Sequence, residues 1–280
     1  MTGKYVGLLA LLIFQGYLVL AQPAPPTYNV LTRILMVESQ HGRGSIFSID
    51  VDNREYWITA KHVLTGAEHP PYGAITAKTV SLQLLNPGGE GQQWIPVTFS
   101  VIDPGPDIDI VVLAPPQPLL TNPLPSVAAD STGMLLGGDC EFLGFPYGGG
   151  WRARFDNGQS FWMPFVKHCT VSAMSEDGKQ IYVLDGINNA GLSGGPVIFK
   201  TGPDQRIMAV VSGYHTEPAE IVFSSSASPA LKERARQSAK LAAHPRGTVN
   251  LNSGFIIAYG INYATEAIKK EPIGPLRKPK

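Results

Sequence analysis

Apolar residues recur at every second position through much of this chain, in short runs broken by glycine, proline, asparagine and aspartate. A period of two with such punctuation predicts half-buried strands joined by turns. After a Pro-rich extended lead-in at 22–28, Val30 to Val37 predicts the first strand and Gly44 to Val51 the second. Asp52-Asn53 turns the chain into Glu55 to Thr59, which runs directly into Ala60-Lys61-His62. The hairpin therefore delivers a histidine at a strand end. Ile75 to Leu85, Gln93 to Ile102 and Asp107 to Leu113 continue the pattern, so residues 29–113 form one β-rich block.

Residues 114–132 contain Ala114-Pro115-Pro116-Gln117-Pro118 and Pro123-Leu124-Pro125. Proline cannot join a central ladder, so this segment reads as a linker. A second block spans 133–270, with strands expected at Asp139 to Gly144, Ser160 to Met174, Ile181 to Asp185, Val197 to Phe199, Ile207 to Ser212 and Phe255 to Tyr259. Asn262 is placed to cap a helix over Tyr263 to Lys270, and 271–280 is a tail. One stretch departs from the pattern. Pro229 to His244 is rich in Ala, Lys, Arg and Leu, which favour helix, and its apolar stripe through Leu231, Ala235 and Ala242 is thin. It reads as a solvated helix within an insertion at 216–250. The fold class expected is all-β: two packed antiparallel barrels or sandwiches, with one helical insertion and a short C-terminal helix.

Charge adds an exclusion. Acidic and basic residues balance at 22 each, so no net field recommends nucleic acid or an anionic membrane as a partner. The N-terminus adds a destination. Lys4 precedes an almost wholly apolar run from Tyr5 to Leu20, and Val19-Leu20-Ala21 is a small-residue cleavage site. Residues 1–21 read as a secretory signal peptide. Gln15 and Gly16 interrupt the run, so cleavage is expected rather than a retained anchor. The expectation is a secreted or periplasmic protein, bacterial, with no stable membrane insertion once the signal is removed. The two cysteines, Cys140 and Cys169, lie in strand-like stretches where an exported protein can join them, or where both can stay buried thiols. Without clustered histidines they do not recommend a metal site, and no cofactor is called for.

The candidate chemistry sits in Gly191-Leu192-Ser193-Gly194-Gly195-Pro196. A nucleophilic hydroxyl needs open space and backbone N–H groups aimed at a developing charge. Both requirements push the backbone into turns that residues with a Cβ resist. Such a serine also needs a base, and the base a carboxylate to orient it. Of six histidines (41, 62, 69, 168, 215, 244), His62 closes a strand; Asp109, with Asp107 as rival, heads Ile110-Val111-Val112-Leu113.

Taken together, Thr59-Ala60-Lys61-His62-Val63, Asp109-Ile110-Val111-Val112-Leu113 and Gly191-Leu192-Ser193-Gly194-Gly195-Pro196-Val197 resemble the three active-site blocks of trypsin-like, chymotrypsin-fold serine peptidases, in that family's order. Cys140-Glu141-Phe142-Leu143-Gly144-Phe145-Pro146 resembles the strand and Gly-x-Pro turn of bacterial HtrA-like members; the ten residues after the last helix leave no PDZ-like module to expect. The resemblance covers roughly 29–270. It implies two packed antiparallel β-barrels and a peptide or protein substrate. It implies Ser193 as nucleophile, His62 as base, Asp109 as orienting carboxylate and the N–H groups of Gly191 and Ser193 as the oxyanion hole. Ile187, Ser212, Gly213, Tyr214 and His215 would line the substrate site, Ile187 arguing against a basic side chain at P1.

Two departures stand out. Members activated by cleavage carry an acid before the serine to pair with a freed N-terminus, and Leu192 cannot accept that pair. Lys61 replaces a small residue before the histidine and is expected at the surface. Two other readings compete. Gly191-Leu192-Ser193-Gly194-Gly195 also satisfies Gly-x-Ser-x-Gly of α/β-hydrolase esterases, but helix patterns are scarce before residue 229. An inactive trypsin-like binding or scaffold module is the other.

Overall fold

The computed structural model describes residues 25–277 except 68, 89–90, 121–122, 155–159, 176–179, 221–228, 231–232 and 234–247. The signal segment and most of the expected helix over Pro229 to His244 lie outside the described residues.

The first strand starts later than the sequence pattern implied. Tyr28–Leu31 forms a single helical turn, α1, and β1 runs Ile34–Ser39. β2 (Gly42–Val51), β3 (Arg54–Thr59), β4 (Thr79–Leu85), β5 (Trp94–Ile102) and β6 (Val111–Ala114) complete a closed barrel in the order β1-β2-β3-β6-β5-β4. Asp52 and Asn53 both take positive φ, 50° and 57°, the geometry a two-residue hairpin turn requires. β2 shows six consecutive buried residues rather than alternation, because one of its faces lines the barrel and the other meets the second half of the molecule.

The second half forms another closed six-stranded barrel. Its strands are β8 (Asp139–Gly144), β11 (Phe165–Met174), β12 (Ile181–Asp185), β13 (Pro196–Thr201), β14 (Asp204–Glu220) and β15 (Thr248–Gly260), in the order β13-β8-β11-β12-β15-β14 with β13–β14 closing the ring. The short β7 (Ala128–Ala129), within the Pro-rich linker, adds in parallel to β14. The strand expected over Ser160 to Met174 is split at Pro164 into β10 (Ser160–Met163), which pairs only with β9 (Trp151–Arg154), and β11. β14 and β15 continue past the barrel as a ribbon, Thr216 facing Asn252 and Glu220 facing Thr248, so the stem of the insertion is β-structure.

The helix after β15, α3, runs Asn262–Lys270; Asn262 lies inside it and Ile261 occupies the cap position, with no side-chain cap bond. The tail is not loose. Pro275 accepts the Glu55 N–H at 3.0 Å, and the Gly274 N–H donates to the Tyr56 hydroxyl at 3.1 Å. The linker is tied down as well. The buried Arg33 guanidinium reaches Asp50 Oδ2 at 2.9 Å and the Leu124 carbonyl at 2.6 Å.

Phe47 and Ile58 of the first barrel share one buried apolar cluster with Leu143, Ile198 and Val210 of the second. Truncating such a residue to alanine typically costs about 2–5 kcal/mol, so this shared core fixes how the barrels sit and thus how their edges face one another. Cys140 and Cys169 are Cα partners across β8–β11, both buried and both free thiols. A hydrogen bond with Cys140, together with burial, pushes the Cys169 thiol pKa up.

Candidate active site

Ala60 follows β3 and occupies the N-cap of a one-turn helix, α2 (Lys61–Thr65), which Gly66 closes at φ +74° with its N–H on the His62 carbonyl at 2.8 Å. The first N–H groups of any helix lack an intrahelical partner. Here the His62 N–H finds Asp109 Oδ1 at 2.8 Å, while His62 Nδ1 meets Asp109 Oδ2 at 2.7 Å. One carboxylate thus grips backbone and ring together. A carboxylate only accepts, so Nδ1 carries the hydrogen, and in the neutral ring Nε2 keeps its lone pair. Asp109 is fully buried and takes a third bond, from the Ser212 hydroxyl of β14 at 2.5 Å.

Ser193 stands on the second barrel. Its hydroxyl donates to the Ser212 carbonyl at 2.9 Å rather than to His62. Ser212, expected as a substrate contact, thereby bridges Asp109 and Ser193. The glycines flanking Ser193 have the mechanical reasons anticipated for them. Gly194 has φ +84°, and a Cβ there would collide with Ser45 O and Thr59 Oγ1. Gly191 has φ +94°, packed against the Phe145 carbonyl. Tyr147 N–H donates to Ala190 O at 2.5 Å, so the trans peptide turns the Gly191 N–H the opposite way. Among the described residues, neither the Gly191 nor the Ser193 N–H has a hydrogen-bond acceptor. Two free donors beside a hydroxyl are what a developing oxyanion requires.

His62 and Asp109 come from one six-stranded barrel; Ser193 and Ser212 come from the other. This is the chymotrypsin fold. The single parallel pairing among the described strands, β7–β14, is incompatible with the parallel sheet of an α/β-hydrolase. Among solved structures, the chain is similar to the inactive form of the Rv3671c protease (16% identity over 89% of this chain and 98% of that one, TM-score 0.45). It is similar also to the serine endoprotease from Yersinia pestis (18%, 89% and 67%, 0.48) and to Deg5 (15%, 95% and 95%, 0.46). No protein-family model and no curated protein matches the chain. Fold and residue roles rest on the geometry of this chain.

Other residues fall less simply. Ile187 is 61% exposed, its carbonyl bound by the Lys167 ammonium. Tyr214 is 40% exposed, and His215 is exposed with its carbonyl taking the Ser253 hydroxyl at 2.9 Å. Leu192 is fully buried in the apolar interior of the second barrel. Lys61 is not a surface residue. It is fully buried, with Nζ on Asp103 Oδ1 at 2.5 Å and on the Gly105 carbonyl, because the first-turn position of α2 aims it at the turn before Asp109.

Sequence reasoning missed Gly44 and Ser45. A Cβ on Gly44 would lie 2.8 Å from Val63 Cγ2 and 2.9 Å from Ser193 O, so only glycine lets the helix bearing His62 approach the serine loop. Ser45, fully buried, donates its N–H to Ser193 O at 2.8 Å and its hydroxyl to Gly191 O at 2.8 Å, and accepts the Phe145 N–H at 3.0 Å. In the sequence Ser45 only follows Gly42-Arg43-Gly44 and precedes Ile46-Phe47, a context that gives no signal of these contacts.

Proposed function

We propose that the protein is an exported serine endopeptidase that cleaves peptide bonds through an acyl-enzyme on Ser193. The observation that carries this reading is the double grip of Asp109 on His62. It presents a bare Nε2 at the junction where the other barrel brings Ser193. Rotation of the serine hydroxyl off the Ser212 carbonyl would let Nε2 take its proton as Oγ bonds to the substrate carbonyl carbon. The oxyanion so formed would accept from the Gly191 and Ser193 N–H groups. Collapse breaks the C–N bond, the imidazolium gives its proton to the leaving amine, and a water then repeats the sequence to release the acid.

The buried Leu192 supports a site that works without a freed N-terminus. Ile187 and Tyr214, apolar and exposed at the rim, support small or apolar P1 residues. The β14–β15 ribbon begins beside Ser212, which supports the insertion at 216–250 bordering the cleft. The apolar run at 5–20 supports export; among the described residues no helix is long and apolar enough to cross a membrane.

A catalytically silent binding module of the same fold is the second reading, and the Ser193–Ser212 bond is the observation on its side. Digestion of a mixed peptide library by the mature chain, with products mapped by mass, separates the two. Cleavage clustered after small or apolar residues and abolished in Ser193→Ala supports the peptidase. An uncut library supports the silent module.

A further inference from the structure

The loop bearing the two free N–H groups needs an anchor, and Leu192, turned into the apolar core, cannot provide an ionic one. An ammonium lies on the neighbouring strand instead. Lys167 on β11 stands directly across from Phe142 of β8 and lays its charge over that ring, 5.7 Å from the centroid. Its Nζ donates to the Ile187 carbonyl and, at 2.8 Å, to Asn189 Oδ1. The Asn189 amide continues to the Tyr147 hydroxyl at 3.0 Å, and the Tyr147 N–H holds Ala190 O at 2.5 Å.

This string of bonds engages residues 187, 189 and 190, the stretch that leads into the Gly191 peptide, with Ala190 O belonging to that peptide itself. Among the described residues Lys167 has no carboxylate partner, so its charge acts on neutral acceptors of this loop. Bonds from a charged donor are about twice as strong as neutral ones, which suits a short tether on an exposed loop. Burial lowers the Lys167 pKa, as expected for an ammonium drawn partly out of water.

We propose that Lys167 is a positioning residue whose ammonium holds residues 187–190 so that the Gly191 N–H stays aimed at the oxyanion. An internal lysine thus does what a processed N-terminus does in cleavage-activated peptidases. The inference rests on Ser193 being the nucleophile.

The test compares wild type, Lys167→Met, Lys167→Arg and Asn189→Ala by steady-state peptide kinetics, with thermal unfolding as a control on folding. Losing the aim of one oxyanion donor costs about 10²–10³ in kcat, and partial loss of its anchor should cost about 10–100-fold. Lys167→Met is expected to lose that factor in kcat with KM within about threefold. Lys167→Arg should recover most of it, and Asn189→Ala should fall between. If Lys167→Met fails to fold, Lys167→Arg and Asn189→Ala decide by the same split. Unchanged kcat in folded Lys167→Met or in Asn189→Ala, or a loss confined to KM in either, overturns the proposal. A wild type that cleaves nothing overturns the peptidase reading, and this proposal with it.

Discussion

Lys61 Nζ lies 2.5 Å from Asp103 Oδ1, a largely buried ion pair one residue from the candidate base His62 and six from Asp109. Asp103 also accepts the Ile75 N–H at 2.8 Å and the Gly105 N–H at 3.0 Å, so the pair locks the turn that delivers Asp109. Removing one partner of a buried pair leaves the other charge uncompensated, at a cost of about 3–5 kcal/mol. Lys61→Met should therefore lower the unfolding midpoint by ~6–20 °C, on ~2–4 °C per kcal/mol for a domain of this size. Differential scanning calorimetry checks this. A midpoint within two degrees of wild type (about the effect of 1 kcal/mol) would make Lys61 a bystander.

Ser45 ties the first barrel to the nucleophile loop by two bonds. Ser45→Ala removes the hydroxyl bond to Gly191 O and strands the Phe145 N–H, a buried donor whose loss of partner costs about 1–3 kcal/mol. The account expects urea stability to fall by that amount and kcat to fall about tenfold, since ~1.4 kcal/mol of misplacement at the oxyanion loop is a factor of ten. Unaltered kcat in the destabilised variant would confine Ser45 to folding.

Much of this was legible in advance. Alternation located most strands; the His62 and Asp109 singled out from the sequence are hydrogen-bonded to each other, while Ser193 bonds the Ser212 carbonyl. The reasons for the misses are physical. Lys61 was misplaced because charge type says little about burial once a carboxylate waits in a turn forty residues on. The linker and tail look irregular in composition yet are held by Arg33, Tyr56 and main-chain bonds, which no local pattern records. Ser45, Lys167 and Asn189 act through contacts with distant backbone, invisible to spacing. Asn262 followed a capping rule, but the chain enters α3 already helical at Ile261, φ −62° and ψ −21°.

Glu141 makes a pH prediction. Burial raises its carboxyl pKa above the usual range, against the opposing pull of Lys200 and His168. The folded state therefore holds this proton more tightly than the unfolded chain. The sign follows: stability falls as pH rises from the ordinary glutamate value through the raised one. Glu141→Gln removes the ionisation, so its unfolding midpoint should exceed wild type at pH 8 and match it near ~3.5, where both states are protonated. A midpoint lowered at pH 8 would show that ionised Glu141 is stabilising.

The central claim is that His62 and Asp109 make Ser193 a nucleophile. Labelling the mature chain with a fluorophosphonate, read by intact mass and peptide mapping, tests it most directly. The account predicts one adduct, on Ser193, formed at least about a hundredfold more slowly in His62→Ala and absent from Ser193→Ala. An unlabelled wild type, or an adduct that persists in Ser193→Ala, would contradict it.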